Sequence, residues 1–269
     1  MTKIDKSLYT KQEARRLMEQ RRQEKETTVA APITNDFKYH LLCLKHGTKY
    51  SADYVNRLYK MVKRNCTLPF EFVCLTEDTT GIDSNIKTIP LPAGLKGWWC
   101  KPYMYSADLP LKGVVLYMDL DVVISNNIDK LFTWEPKKWC TIRDFTRAMR
   151  PQWQKYNSSV VRFNAGELDF VWKDFINDAT KIQSKFHGDQ DHLYEVTRSY
   201  PAVTYPDDWI KSWKWEIRKS KQLGRGARGE RQLTTIENVT PPKDCCVCVF
   251  HGDPNPEHCK DPWVVDNWR

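Results

Sequence analysis

The sequence predicts an α/β domain built on a mostly parallel sheet covered by helices on both faces. Three observations predict it. Short apolar runs of strand length alternate with segments of helical spacing from residue 39 onwards. The strongest runs are apolar throughout instead of alternating, the pattern of strands buried on both faces. The chain has 269 residues and 41% hydrophobic side chains, enough for one such domain with appendages.

The elements follow in order. Residues 39–44 form an apolar run ended by Lys45-His46-Gly47. Residues 50–64 carry helical spacing at Tyr54, Leu58 and Met61-Val62. Residues 70–75 and 86–89 read as two further strands, and residues 98–109 as a helix. Residues 113–118 form the most apolar strand, with Val-Val-Leu-Tyr at its centre. Beyond it lie short segments at 122–124 and 128–132, strands at 139–142 and 159–163, and a helix over 167–177. Gly188-Asp189-Gln190-Asp191 reads as a helix start, with carboxylates suited to the first turn. Residues 218–232 read as a long basic loop containing Gly224, Gly226 and Gly229. Residues 245–250 form a last strand, ending in His251-Gly252.

Residues 1–28 are charged and lack glycine, so residues 1–36 are assigned to a helical or disordered arm and residues 37–269 to the folded domain. No apolar core of a signal peptide occurs in the arm, and no run approaches the length that spans a bilayer. Nine cysteines, an odd number without regular spacing, then imply free thiols and a reducing, cytoplasmic setting. The net charge of +8 suits a phosphate-bearing partner without choosing among a nucleotide, a nucleic acid and an anionic membrane.

Asp119-Leu120-Asp121 closes the most apolar strand. In open parallel sheets ligands sit outside the C-terminal strand ends. Residues two apart in extended backbone face the same way, so both carboxylates can enter one crevice. Two hard oxygen ligands suit Mn²⁺ or Mg²⁺ with coordination positions left for phosphate oxygens. A bare Asp-x-Asp is a weak motif, and Asp189-Gln190-Asp191 supplies a second one. The strand decides for 119 and 121, because burying two carboxylates beside it is costly unless a cation compensates them. Lys45, His46 and Tyr50, at the end of the first strand, are candidates for contacts to a base or phosphate. Cys245, Cys246, Cys248, His251, His258 and Cys259 lack the spacing of a zinc site and read as core thiols with neighbouring histidines. No Gly-x-Ser-x-Gly elbow, Walker loop or dinucleotide turn is present.

Gly97-Trp98-Trp99-Cys100-Lys101, followed by the strand and Asp119-Leu120-Asp121, resembles glycosyltransferases of GT-A fold. The resemblance is to the group of glycogenin and the bacterial lipopolysaccharide galactosyltransferases, with related bacterial and phage proteins. It runs in order of motifs from Lys38 to Trp268. It implies a Rossmann-like sheet and transfer of a sugar from a nucleotide diphosphate sugar, a UDP-sugar first, to a hydroxyl acceptor. It further implies Mn²⁺ (or Mg²⁺) and retention of anomeric configuration.

Carried over residue by residue, the resemblance makes Asp119 and Asp121 metal ligands, with Asp119 also near the donor ribose, and makes Lys101 a donor contact. The family's Asn lies before a strand, which selects Asn157 over Asn164 as the sugar contact. Asp189 and Gln190 fall beside the reacting sugar. The family's metal-binding His stands three residues before a Gly. Val249 occupies that position here, and His251, on the same strand face, is assigned as the third ligand. The family's phosphate-holding Lys is replaced by Asn255, which leaves Lys214, Arg218 and the basic loop for that role. Two other functions make different demands on the sequence. A sugar-1-phosphate nucleotidyltransferase needs a Gly-rich, Arg-containing turn where this chain has Lys45-His46-Gly47-Thr48. A nucleic-acid-binding protein on a repurposed transferase domain would bind without metal or the Asp pair; no nucleic-acid partner is expected.

Overall fold

A computed structural model describes residues 38–218, 222–225, 231–233 and 240–269. The assigned arm over residues 1–36 lies outside the described residues, as does most of the basic loop. Along the chain the strands are β1 (Tyr39–Lys45), β2 (Phe70–Thr76), β3 (Lys87–Pro90), β4 (Val114–Met118), β5 (Val122–Ile124), β6 (Cys140–Arg143), β7 (Tyr156–Asn164), β8 (Val203–Thr204), β9 (Ile210–Ser212), β10 (Gln222–Arg225), β11 (Arg231–Leu233) and β12 (Val247–Val249). The α-helices are α1 (Ala52–Asn65), α2 (Asp129–Thr133), α3 (Asp169–Asn177), α4 (Ala179–Lys185), α5 (Asp189–Val196) and α6 (Pro262–Asn267).

Seven strands form the main sheet in the order β3–β2–β1–β4–β7–β6–β8. All run parallel except β7, which is antiparallel to both β4 and β6. The expected α/β architecture is therefore present. Alternation along β1 shows how the sheet is covered. Leu41 and Cys43 pack with Leu58, Met61 and Val62 of α1, whereas Leu42 packs with Val73, Tyr117 and Met104 in a separate cluster on the other face.

A second, three-stranded sheet has the order β5–β12–β9. β12 pairs antiparallel with β5 and parallel with β9. This small sheet ties the chain after the Asp pair to the chain before His251: the Phe250 amide donates to the Asp121 carbonyl at 2.8 Å.

Four elements differ from expectation. The helix expected over residues 98–109 is a 3₁₀ helix, Gly97–Tyr105, because Pro102 inside it has no N–H to donate. The segment at 128–132 becomes the short helix α2. β7 begins at Tyr156, so Asn157 lies within the strand and not before it. Its first residues are polar, which hides them from an apolar-run criterion. Finally, the backbones of β10 and β11, inside the expected loop, pair antiparallel with a bulge between Gln222 and Gly224. All nine cysteines are free thiols and all but Cys66 are buried. Burial pushes the Cys245 thiol up to about 11 and Cys246 to about 12, as core thiols require.

Candidate functional site

A cleft of about 520 Å³ opens at the C-terminal ends of β1 and β4. The turn after β1 brings Tyr50 to it, and the end of β4 brings Asp119 and Asp121. Because β7 runs antiparallel, its first residues sit at this same end. Met118 pairs with Val160, and the Asp119 amide donates to the Ser159 carbonyl at 2.9 Å. Asn157 and Ser158 thus line the cleft beside the Asp pair. The 3₁₀ helix supplies Trp98 and Lys101, the start of α5 supplies Asp189 and Gln190, and the chain after β12 supplies His251.

Asp119 and Asp121 share the cleft but are held differently. Asp119 accepts from the Tyr117 hydroxyl at 2.7 Å and lies 2.8 Å from the Lys101 ammonium. Asp121 is buried and accepts from the Tyr50 hydroxyl at 2.9 Å. Burial, and then repulsion from Asp119, raise the Asp121 carboxyl from 3.8 to about 6, against the pull of Tyr50, Lys49 and Lys101. Its ionised form is therefore short of positive charge.

Lys101 joins the two carboxylate groups of the cleft. Its ammonium also donates to Ser158 Oγ at 3.2 Å and stands 3.9 Å from Asp189 Oδ2. Burial opposes its charge, but Asp119 and Asp189 outweigh that and raise its pKa. Ser158 in turn donates to Asp189 at 2.6 Å. Burial raises the Asp189 carboxyl, with Lys101 and Ser158 pulling the other way. Asn157 Nδ2 donates to Gln190 Oε1 at 3.4 Å. Lys155 pairs with Asp191 at the rim, 2.9 Å apart.

Lys101, Tyr50, Asp119, Asp121, Asn157, Asp189, Gln190 and His251 all line the one cleft. Lys45 does not. It is buried at the end of β1, with its ammonium 3.6 Å from Asp78. His251 lines the cleft with its Nε2 only 2.6 Å from Ser212 Oγ, and its ring stacks on Phe145 and Trp215. Among the described residues no three His, Cys, Asp or Glu side chains converge as ligands. The donor set that fits a divalent cation is thus the Asp pair, whose mutual repulsion a cation would relieve, with further oxygens from a phosphate and water. Lys214, a candidate for phosphate, donates to the His251 carbonyl at 3.2 Å. Asn164 lies at the far end of β7, paired with Val114, where it donates to Glu167 in a turn.

Three further residues of the site are not among those the sequence singles out for a role. Tyr117 precedes Asp119 by two, so strand alternation alone could have placed it. Ser158 could be found only through the reversed direction of β7. Trp98 sits in the Gly97-Trp98-Trp99 segment, where sequence does not say which indole is core: Trp98 is 54% exposed in the cleft wall, whereas Trp99 stacks on Phe175.

No known family profile matches this sequence, and no curated protein sequence matches it. Solved structures of glycosyltransferases match its fold. The galactosyltransferase LgtC, in complex with donor and acceptor sugar analogues, superimposes with a TM-score of 0.55 at 12% identity, covering 85% of this chain and 96% of that one. The bifunctional glycosyltransferase WbbM, in its apo form, gives 0.56 at 11% identity over 89% of this chain and 51% of that one. The glycosyltransferase GlyE of Streptococcus pneumoniae TIGR4 gives 0.51 at 13% identity over 64% and 47%. The chain therefore has the GT-A fold of these enzymes.

Proposed function

We propose that this chain is a divalent-metal-dependent glycosyltransferase. It moves a sugar from a nucleoside diphosphate sugar, a UDP-sugar first, to a hydroxyl group of an acceptor. The observation that carries the reading is the pair Asp119 and Asp121, set in one cleft at the end of β4 with Asp121 short of compensating charge. Mn²⁺ or Mg²⁺ held there would supply charge neutralisation for a departing diphosphate.

The chain's own residues have distinct roles in this reading. Tyr50 fixes Asp121 through its hydroxyl. Lys101 fixes Asp119 and, with Ser158, keeps Asp189 close to it. Asn157 and Gln190 hold each other beside the sugar position. Asp189 faces that position as a carboxylate, which stabilises positive charge growing on an oxocarbenium-like sugar. Lys49 places positive charge on the wall near Tyr50, with the His46 ring beside it, where a diphosphate would be received. Retention of configuration rests on the resemblance to the glycogenin and lipopolysaccharide galactosyltransferase group.

The test is a panel of nucleotide sugars with Mn²⁺, read as released nucleoside diphosphate. At least one donor is turned over by the wild type, and Asp121→Asn reduces that turnover to background. Equal turnover in the variant, or no turnover of any donor, sinks the reading.

A further inference from the structure

We infer that Trp268 is a positioning residue for the carboxylates at the end of β4: through Tyr54 it braces Tyr50, and Tyr50 holds Asp121. The inference rests on the transferase reading above for the role of Asp121, and it adds a residue that does not line the cleft. Among the described residues, Tyr50 is the one side chain that hydrogen-bonds the Asp121 carboxylate. Its phenol oxygen stays 2.9 Å from that carboxylate only while the ring behind it is held in place.

The ring is held from the side of α1. Tyr54, in the first turn of that helix, is 3% exposed, and its ring centroid lies 4.7 Å from that of Tyr50. Trp268 meets Tyr54 in turn, edge to face, at 5.0 Å and 69°. Another neighbour of the Tyr50 ring is the Lys49 ammonium, 4.6 Å from its centroid. Lys49 is exposed, and a flexible stem in water is no fixed wall. The firm contact is therefore Tyr54, which Trp268 backs.

Trp268 is anchored by the same helix. Arg57, one turn beyond Tyr54, stands over the indole at 4.4 Å and donates to the Trp268 carbonyl at 2.8 Å. Arg64, two turns further on, donates to the Asn267 carbonyl at 2.6 Å. These guanidinium contacts grip both ring and backbone. The indole is 7% exposed, and its N–H has no acceptor among the described residues. Its place is thus set by its ring faces, although this leaves a donor unpaired. A side chain that only filled space would bury apolar area without that cost. What the indole adds is a rigid plane that meets Arg57 and Tyr54 together.

Fluorine NMR of the full chain, labelled with 3-fluorotyrosine and free of metal and nucleotide, reads the Tyr50 ring directly. Tyr50→Phe assigns the signal. Trp268→Ala is expected to shift or broaden it beyond its wild-type width. Trp268→Phe, which keeps an aromatic face on Tyr54, leaves it in place. Val171→Ala opens a cavity in the separate core cluster on the other face of the sheet. It lowers the melting temperature without moving the Tyr50 signal, which tells bracing apart from general stability. Mn²⁺ binding in the presence of UDP, followed by electron paramagnetic resonance, weakens about tenfold in Trp268→Ala and less than about threefold in Trp268→Phe. An unmoved Tyr50 signal in Trp268→Ala, or in Arg57→Met should the first variant not fold, overturns the brace. A wild type that binds no Mn²⁺ with any nucleoside diphosphate defeats the transferase reading, while the fluorine signal still judges the brace.

Discussion

Tyr50 donates its phenol hydrogen to Asp121 at 2.9 Å across 71 residues of sequence, closing the turn after β1 onto the end of β4. Neither residue could make this bond unless β1 and β4 were parallel neighbours, since only then do both of those ends meet at one edge. The bond is also not sufficient. Burial and Asp119 still hold the Asp121 carboxyl near 6.

The sign of the resulting pH dependence follows from linkage. The folded chain takes up the Asp121 proton at about 6 and the ordinary carboxyl does so at 3.8. Stability from this group is thus fullest below 3.8 and is lost as pH rises to about 6. Asp121→Asn has no such loss. At pH 7 it should exceed the wild type by on the order of 1–3 kcal/mol relative to their difference at acid pH, as read by denaturant unfolding. Mn²⁺ with a nucleoside diphosphate should raise the wild-type melting temperature at pH 7.5. That gain should fade below pH 6 and be missing in Asp121→Asn. A flat pH response of the wild type would show that the carboxylate is already compensated.

Gly113 opens β4 at φ +80°, and a Cβ there would stand 2.6 Å from the Lys38 carbonyl oxygen. That oxygen accepts from the Val114 amide at 2.9 Å, so it cannot retreat without opening the β1–β4 ladder. Gly113→Ala combines a left-handed backbone with a clash against backbone. It should cost about 2–4 kcal/mol in unfolding measurements. A loss under about 0.5 kcal/mol would mean that the strand start tolerates a shift.

The legible part of the molecule was that written in local pattern. β1, β2 and β4 are apolar throughout, and the sheet they form is parallel and covered on both faces. The Asp pair was legible because an apolar strand leads directly into it. β7 was only half legible. Its inner half is apolar, but Asn157-Ser158-Ser159 faces the cleft, and polar residues in a strand look like a loop. Lys45 and Tyr50 show the limit of adjacency. They are five residues apart after one strand, yet only Tyr50 reaches the cleft, since Lys45 is still inside β1 and is taken up by Asp78. His251 lines the same cleft as the Asp pair, but its bond to Ser212 depends on β9, which has three residues and no sequence signal.

His192 links the core to the site. It is fully buried on α5, three residues after Asp189, and its Nε2 lies 2.8 Å from Asp174 Oδ2. Its ring contacts Trp99, Phe175 and Phe186. Trp99 neighbours Trp98 and lies two residues before Lys101, so one imidazole supports both elements that present cleft residues. His192→Ala should lose about 2–4 kcal/mol through the cavity it leaves. It should lower donor turnover more than donor binding, because Asp189 is displaced while the Asp pair stays on β4. His192→Phe refills the space and leaves Asp174, itself half exposed, to water, so it should recover most of the stability. An unaltered melting temperature in His192→Ala would remove the supporting role.

Lys101 holds a carboxylate that the proposed cation would also need. Its ammonium sits 2.8 Å from Asp119 and 3.9 Å from Asp189, and both carboxylates are largely buried. Lys101→Met keeps the apolar stem and deletes the charge, which leaves two carboxylates facing each other. The loss at pH 7 should be about 3 kcal/mol, and it should shrink toward pH 4 as protons replace the missing cation. Mn²⁺ should act in the same direction as those protons. With no ammonium on Asp119, it should raise the melting temperature of Lys101→Met by more than it raises that of the wild type. Such a result would identify Asp119 as the site where lysine and metal exclude each other. A smaller Mn²⁺ effect in the variant would instead show that Lys101 helps to build the cation site, by holding Asp119 in the orientation that binds.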